Sequence, residues 1–197
     1  MTAAASGRSV IFVIDTSSTR WAVAEIDEAG HGRTLIESSD RPDLAPIYEK
    51  ITRPSRVAVA TGPGSFTGLR VGVSFGLGIA MGLRIPIVAL PSLALRAARS
   101  KSPATAVIEA GRGRVYYQVP GAAAAHGEPA DVPASHPLVG DVAPKTGAAL
   151  LATGHRFVPA GQLREFAAAA SVVLETAREV AYGSLEIKYM QTFSAKR

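Results

Sequence analysis

The sequence contains no cysteine among its 197 residues, which excludes disulfide bonds and thiolate metal sites. Charged residues make up 19% and aromatic residues 6%, against 47% apolar residues, a balance typical of a globular chain. No apolar run of signal-peptide length lies near the first residues, and the longest uncharged, largely apolar run, residues 71–83, is too short to span a bilayer. The sequence therefore predicts a soluble, cytoplasmic protein.

The charge is mildly positive, with 21 basic and 16 acidic residues and a net charge of +5. Two small basic groups occur, one of Arg96, Arg99 and Lys101 and one of Arg112 and Arg114. Such groups are typical of a solvated surface, and a weak patch for nucleic acid or an anionic partner is the alternative. The four histidines are not paired at helical spacing, so no metal site is predicted.

Strand and helix patterns alternate along the chain, which predicts an α/β fold. β-branched and aromatic runs predict strands in residues 9–15, 21–27, 34–39, 56–62, 85–92, 105–119 (two strands and a turn) and within 150–157. Helical spacing predicts helices in residues 42–51, 68–83, 92–99 and 162–182, the last ending at Gly183.

Two hairpins repeat one layout. Each has an apolar strand, an acid (Asp15 or Glu109), a turn of small residues with an arginine, and a second strand with an aromatic residue. The repeat predicts two related lobes, although two hairpins can resemble each other by chance.

The segment 60–76 is rich in glycine but meets no nucleotide signature. A P-loop needs a lysine that is missing here, and a dinucleotide fingerprint needs a glycine at Thr67, where the glycine comes one position later. A nucleophile elbow fails because Pro63 stands two positions before Ser65. The backbone N–H groups of residues 61–67 could still face an anion at the start of the following helix.

Small residues recur every fourth position in that helix, at Gly68, Gly72, Gly76 and Ala80, and so share one face. Each interior glycine costs about 1 kcal/mol of helix propensity relative to alanine, so a close neighbour must compensate. Packing on the chain's own sheet, a helix of a second chain, and a ligand are three explanations. We predict an interface at these four residues and at Val71, Phe75 and Ile79.

Three segments, "VIDTSSTRWAVAEI", "ATGPGSFTGLRVGVSFGLGIAMGLRIPIVALPSL" and "AVIEAGRGRVYYQV", resemble the TsaB (YeaZ) family. The resemblance covers residues 10–27 and 57–119. It implies an actin-like ATPase (ASKHA, RNase H-like) fold with an N-terminal lobe at 1–102 and a C-terminal lobe at 103–197, whose last helix is free to pack back on the first lobe.

The resemblance also implies a function. Members of the family are non-catalytic dimerisation subunits that pair with a TsaD-like catalytic subunit and recruit a TsaE-like ATPase. The complex transfers a threonylcarbamoyl group to N6 of the adenosine on the 3′ side of the tRNA anticodon. The implied contact with tRNA is indirect, no cofactor or membrane is involved, and a homodimer is an alternative assembly.

Departures from the pattern bear on nucleotide binding. Actin-like phosphotransferases have a glycine where this chain has Ser17, and its Cβ would crowd a phosphate. We therefore predict at most a vestigial nucleotide or anion site, with no catalytic residue, formed by Asp15, Thr16, Ser17, Gly64, Ser65 and Glu109. An active ATPase or small-molecule kinase that uses Asp15 and Glu109 is the alternative. The short helix at 42–51 lies near the usual dimer surface, which affects the choice of partner.

Overall fold

Two β-sheets form the centre of the computed structural model, which describes residues 9–51 and 53–190. The first sheet takes its first five strands from the N-terminal half: β1 (Val10–Asp15), β2 (Trp21–Asp27), β3 (Gly32–Ser38), β4 (Arg56–Ala60) and β5 (Ile87–Leu90). The second sheet contains β6 (Thr105–Gly111), β7 (Arg114–Gln118), β8 (Ala125–Gly127) and β9 (Leu138–Asp141). A short strand, β10 (Glu179–Val180), returns to the first sheet.

The four strands of the second sheet are arranged in the same way as four strands of the first. The first has the order β10-β5-β4-β1-β2-β3 and the second the order β8-β7-β6-β9, so β6 to β9 correspond to β1 to β4. In each, a hairpin pairs the first two strands and the first strand is parallel to the fourth. Ile14 lies opposite Val59, and Ile108 lies opposite Asp141, so Asp15 and Glu109 follow equivalent positions. The predicted α/β fold with two hairpin-opened lobes is confirmed.

In the part of the chain that the structure describes, five α-helices connect and cover the sheets: α1 (Ala45–Tyr48), α2 (Phe66–Leu83), α3 (Ser92–Ala98), α4 (Pro144–Ala152) and α5 (Phe166–Leu174). β1 is buried along its whole length because both faces of the first sheet are covered. One face packs with α2 around Phe12 and Ile14, and the other packs with α3 and α5 around Ile11 and Val13. These two clusters explain why the first strand reads as an unbroken apolar run.

The C-terminal part of the chain differs from the sequence prediction. The helix predicted at 162–182 is only α5, preceded by a 3-10 turn at Ala160–Gln162 and followed by β10, in which Val180 pairs with Ile87. Gly183 lies in a 3-10 turn rather than at a helix end. The hydroxyl of Tyr182 donates to the carbonyl oxygens of Ala80 and Ile85, which holds this segment against the end of α2. Helical spacing alone could not distinguish this strand from a continuing helix.

The strand predicted within 150–157 is also wrong. Residues 150–152 are the last turn of α4, and only Phe157 forms a single bridge, with Leu138. α4 itself, which begins with Pro144, was missed. The helix predicted at 42–51 is present but has only four residues. α5 packs on β2 and β3, so the C-terminal segment covers the first sheet, and the boundary at 102/103 stays a prediction.

Candidate functional site

The glycine-rich loop between β4 and α2 packs on the turn of the first hairpin. Gly62 has a φ of +107°, a conformation that side-chain-bearing residues rarely adopt, and its N–H donates to Ser92 Oγ at 3.0 Å. The N–H of Ser65 donates to the carbonyl oxygen of Ser17 at 2.7 Å. Ser65 Oγ in turn accepts from Gly68 N at 3.2 Å and caps α2. The loop thus fixes where α2 begins relative to Asp15.

The predicted glycine stripe faces the chain's own sheet. A Cβ at Gly68 would overlap the carbonyl oxygen of Thr16, one at Gly72 would overlap Thr16 Oγ1, and one at Gly76 would overlap a methyl group of Val59. Ala80 is fully buried. The expectation that a partner backbone lies on these four residues is therefore corrected: Thr16, in the turn after β1, and strand β4 are the close neighbours that compensate for the glycines.

The opposite face of α2 is exposed and carries apolar side chains beside the polar residues Thr67, Arg70 and Ser74. Of the six exposed large hydrophobic side chains in the part of the chain that the structure describes, three lie on α2, at Phe66 (48% exposed), Val71 (39%) and Met81 (55%). A Cβ added at Gly78 or Gly82 would meet no atom within 4 Å, so nothing in the described chain accounts for these two glycines. We call Phe66, Val71, Gly78, Met81 and Gly82 the outer face of α2.

Two other members of the predicted interface lie between the faces. Phe75 and Ile79 are half-buried and pack against the cluster under α2. The ring of Phe75 meets the edge of Tyr48 at a centroid distance of 6.2 Å, which joins α2 to the short helix α1. Only Val71 of the predicted set is fully outward, so the sequence identified the helix but not its free face.

An aromatic and cationic cluster lies at the start of the outer face. The guanidinium of Arg70 lies 3.8 Å from the centroid of the Phe66 ring, and Tyr189 packs on Phe66 at 5.2 Å between centroids. Arg70 Nε also lies 3.4 Å from the hydroxyl of Tyr189. Exposed Tyr and Arg side chains are enriched at the energetically important points of protein interfaces. Sequence analysis missed this cluster because Tyr189 is 119 positions from Arg70.

Asp15 is engaged on both carboxylate oxygens by other groups of the chain. Oδ1 accepts from the N–H of Ser17 at 2.9 Å and from Ser17 Oγ at 2.6 Å. Oδ2 forms an ion pair with Arg96 Nη2 at 3.0 Å, without the alignment of a good hydrogen bond. Asp15 is 0% exposed and Arg96 is 3% exposed, so the pair is enclosed. A guanidinium therefore lies against the carboxylate that the sequence predicted as part of a vestigial nucleotide or anion site.

Arg96 also connects the two sheets. Its Nη2 donates to Ser18 Oγ at 2.8 Å, and its Nε lies 3.5 Å from Oδ2 of Asp141 at the end of β9. The interpretation of Arg96 as a surface cation is therefore wrong. Asp141 was missed, although the repeat of strands ending in an acid offered a signal for it.

A small cleft of 160 Å³ separates the sheets beside this network. Glu37 lies in its wall and pairs with Arg20 and Arg99, each at 2.9 Å. Burial alone would raise the pKa of Glu37, but the hydrogen bond from Arg99 and the charges of Arg99 and Arg20 outweigh it and lower that pKa. Ligand pockets commonly have about 300–1,000 Å³, so the cleft is smaller than a nucleotide requires.

The predicted nucleotide-site residues divide into two groups. Gly64 lies against the backbone of Ser17, and the hydroxyl of Thr16 donates to the carbonyl oxygen of Gly68 at 2.7 Å, so five of the six residues gather at the hairpin turn. Glu109 instead accepts from Ala143 N at 3.0 Å and Thr146 Oγ1 at 3.2 Å, and so caps α4. Asp141, at the end of β9, lies within 3.5 Å of Arg96 Nε and of Ser18 Oγ in the first lobe.

Within residues 9–51 and 53–190, no group of three or more His, Asp or Glu side chains is arranged to hold a metal ion. α2 has 18 residues and is long and apolar enough to cross a membrane by length and composition. This helix begins before the uncharged run 71–83 and ends with it, so it is longer than the run that the sequence analysis considered. Core helices of soluble proteins pass the same test, and the inner face of α2 packs on the sheet.

A family model described as "TsaD: tRNA N6-adenosine threonylcarbamoyltransferase" matches residues 49–150. The chain is similar to the tRNA threonylcarbamoyladenosine biosynthesis protein TsaB of Bacillus subtilis (strain 168), with 43% identity over 68 residues, 32% of this chain and 28% of that protein. TsaB of Escherichia coli (strain K12) is 38% identical over 72 residues, 34% of this chain and 31% of that protein. The chain thus matches less than a third of the length of each of these two relatives.

The structure is similar to YeaZ from Pseudomonas aeruginosa, with a TM-score of 0.71 and 20% sequence identity. The similarity covers 92% of this chain and 100% of that one. The actin-like α/β fold predicted from the sequence is thereby confirmed over nearly the whole chain.

Proposed function

Because the chain belongs to the TsaB (YeaZ) branch of the TsaD family of tRNA threonylcarbamoyladenosine biosynthesis proteins, we propose that it is a non-catalytic docking subunit. Its partner is a TsaD-like catalytic subunit, and the pair supports transfer of threonylcarbamoyl to N6 of the adenosine 3′ of the anticodon. A TsaE-like ATPase joins this complex, tRNA is contacted indirectly, and the complex works in the cytoplasm.

The outer face of α2 carries this proposal. It combines three exposed apolar side chains with two outward glycines that no internal contact explains. Glycines at such positions allow the backbone of a second helix to approach closely. The helix is 18 residues long, about 27 Å, which is enough for several turns of contact with a partner helix. The Phe66–Arg70–Tyr189 cluster supplies an aromatic anchor at one end.

The network around Asp15 supports the absence of catalysis. An ATPase of this fold needs its acid free for a hydrated metal and needs space for a phosphate beside the hairpin turn. Here Arg96 pairs with Asp15, and Gly64 packs on Ser17. Both features favour a docking subunit over the alternative, an active ATPase or kinase.

The test fills the outer face and measures docking. We expect Gly78→Leu and Met81→Asp each to weaken binding to the catalytic subunit about tenfold or more, because each change blocks close approach or places a charge in an apolar contact. Calorimetric titration of one purified subunit into the other gives the affinity. Ala168→Leu is the matched control, since it enlarges an exposed small residue on α5.

Unchanged affinity for both variants, with circular dichroism showing native folding, would remove α2 as the docking element. Light scattering of this chain alone and mixed with the catalytic subunit separates a homodimer from the proposed heterodimer. A stable homodimer that does not exchange for the mixed complex would contradict the proposed partner.

A further inference from the structure

A pocket of 670 Å³ lies near the start of β9, away from the residues that the proposed function uses. Three loops form it: residues 100–102 after α3, residues 134–137 before β9, and residues 154–162 after α4. None of these residues belongs to α2, the hairpin turn or the cleft of Arg96, apart from the edge of the loop at 160–162. The volume is in the range of pockets that hold nucleotide-sized ligands.

The charged side chains that line the pocket are all basic. Lys101, Arg156, His136 and His155 line the pocket, and the lining residues include no Asp or Glu. The hydroxyls of Ser102 and Ser135 add neutral hydrogen-bonding groups, and Ser135 Oγ already lies 3.0 Å from His136 Nδ1. Cationic and hydroxyl groups without a carboxylate are the groups that bind phosphate oxygens. In a chain with a net charge of only +5, this concentration of basic groups requires an explanation.

His155 forms part of the pocket wall. It is only 5% exposed, and its Nδ1 has no hydrogen-bond partner among the described residues. Its backbone is fixed, since its N–H donates to the carbonyl oxygen of Leu150 at 3.1 Å. Its Nδ1 is enclosed by the surrounding protein, so the ring of His155 shapes the pocket wall and offers no contact to a ligand from that atom.

The walls are held in place without a ligand. Leu138 N donates to the carbonyl oxygen of Arg156 at 2.8 Å, and Val158 N donates to that of Leu138 at 2.9 Å, which ties the third loop to β9. The guanidinium of Arg164 donates to the carbonyl oxygens of Ala98 and Ser100, which holds the first loop. A preformed pocket loses little conformational entropy on binding.

We propose that this pocket binds the phosphate group of a nucleotide. Lys101 and Arg156 contact the phosphate oxygens, and the half-buried ring of Phe157 contacts the apolar part of the ligand. The phosphate belongs either to a free nucleotide or to the backbone of an RNA, and the chemistry of recognition is the same. This proposal is independent of docking through α2.

The test follows amide resonances of the full-length chain by NMR during titration with inorganic phosphate, AMP and adenosine. We expect AMP and phosphate to shift the resonances of residues 100–102, 134–136 and 154–157, and adenosine, which lacks the phosphate, to shift them far less. A second titration with purified tRNA identifies the source, because an RNA ligand would shift the same residues at lower concentration than AMP does.

Variants separate the pocket from general charge attraction. We expect Lys101→Gln with Arg156→Gln to weaken AMP or tRNA binding about tenfold or more, since two charge-assisted contacts are lost. Lys145→Gln with Arg112→Gln removes the same charge at exposed positions outside the pocket and is expected to change binding less than twofold. Equal loss in both pairs, or no shift at the pocket with phosphate, AMP or tRNA, would overturn the proposal.

Discussion

At the scale of single residues, the ion pair of Arg96 with Asp15 determines what the centre of the fold can do. The carboxylate is fully enclosed, and three protein groups surround it: Ser17 N, Ser17 Oγ and the guanidinium. Removing one partner of a buried ion pair leaves an uncompensated charge, which is more harmful than the absence of both. The pair therefore acts as a structural connection, and Asp141 extends it to the second sheet.

We expect Arg96→Met to lower the free energy of unfolding by about 3–5 kcal/mol, because it leaves the Asp15 carboxylate buried without a counter-charge. Urea denaturation followed by circular dichroism measures the change. The double variant Arg96→Met, Asp15→Asn is expected to recover part of the loss, since the amide carries no charge. A loss of stability below about 1 kcal/mol in the single variant, equal to that of the exposed control Arg112→Met, would show that the ion pair does not stabilise the fold in this way.

At the scale of elements, α2 has two faces that both contain glycine for different physical reasons. On the inner face, glycine is required because Thr16, in the turn after β1, and Val59 of β4 leave no space for a Cβ. On the outer face, Gly78 and Gly82 have open space around them and only reduce helix propensity. The inner glycines are thus explained by the monomer, and the outer ones by the proposed partner.

Two alanine substitutions distinguish these faces. Gly68→Ala is expected to lower stability by about 1–3 kcal/mol, because its Cβ would overlap backbone at Thr16. Gly78→Ala is expected to raise stability by about 0.5–1 kcal/mol, because alanine is the better helix former and meets no neighbour. Thermal unfolding of both variants and the parent chain measures the difference. If both substitutions shift stability in the same direction, the assignment of the two faces is wrong.

Sequence periodicity had a clear limit in this helix and in α5. It identified Gly68, Gly72, Gly76 and Ala80 as one face, and the structure places them on one face. It could not identify what lies against that face, since a strand of the same chain and a helix of another both require small residues. In α5 the apolar spacing continued past Leu174, but pairing of Val180 with Ile87 at the sheet edge ended the helix earlier.

At the scale of the whole molecule, the two lobes are joined beside the turn of the first hairpin, where Arg96 contacts both Asp15 and Asp141. Arg96 fills the position beside Asp15, and the remaining cleft has only 160 Å³. α5 and β10 come from the C-terminal half but cover and extend the first sheet. The lobes are therefore connected both by ion pairs and by the C-terminal part of the chain, which packs on the first sheet.

We expect no saturable heat when millimolar ATP with Mg²⁺ is titrated into a purified variant in which Lys101 and Arg156 of the pocket are both substituted. The physical reason is that the guanidinium of Arg96 and the packing of Gly64 on Ser17 leave no room for a metal and a phosphate at Asp15. Because these substitutions disable the second proposed site, binding there does not contribute to the measured heat. ATP binding that Asp15→Ala abolishes would instead establish the ATPase alternative.

The sequence by itself determined the α/β class, the duplicated hairpins, the helix after the glycine loop and the family, because these depend on local patterns of apolar, small and turn-forming residues. Only the tertiary structure decided which face of α2 is free, that Arg96 is buried against Asp15, and that Lys101, Arg156 and His155 share a pocket. These features join residues far apart along the chain, and a pattern in one segment carries no information about the atoms that another segment brings against it.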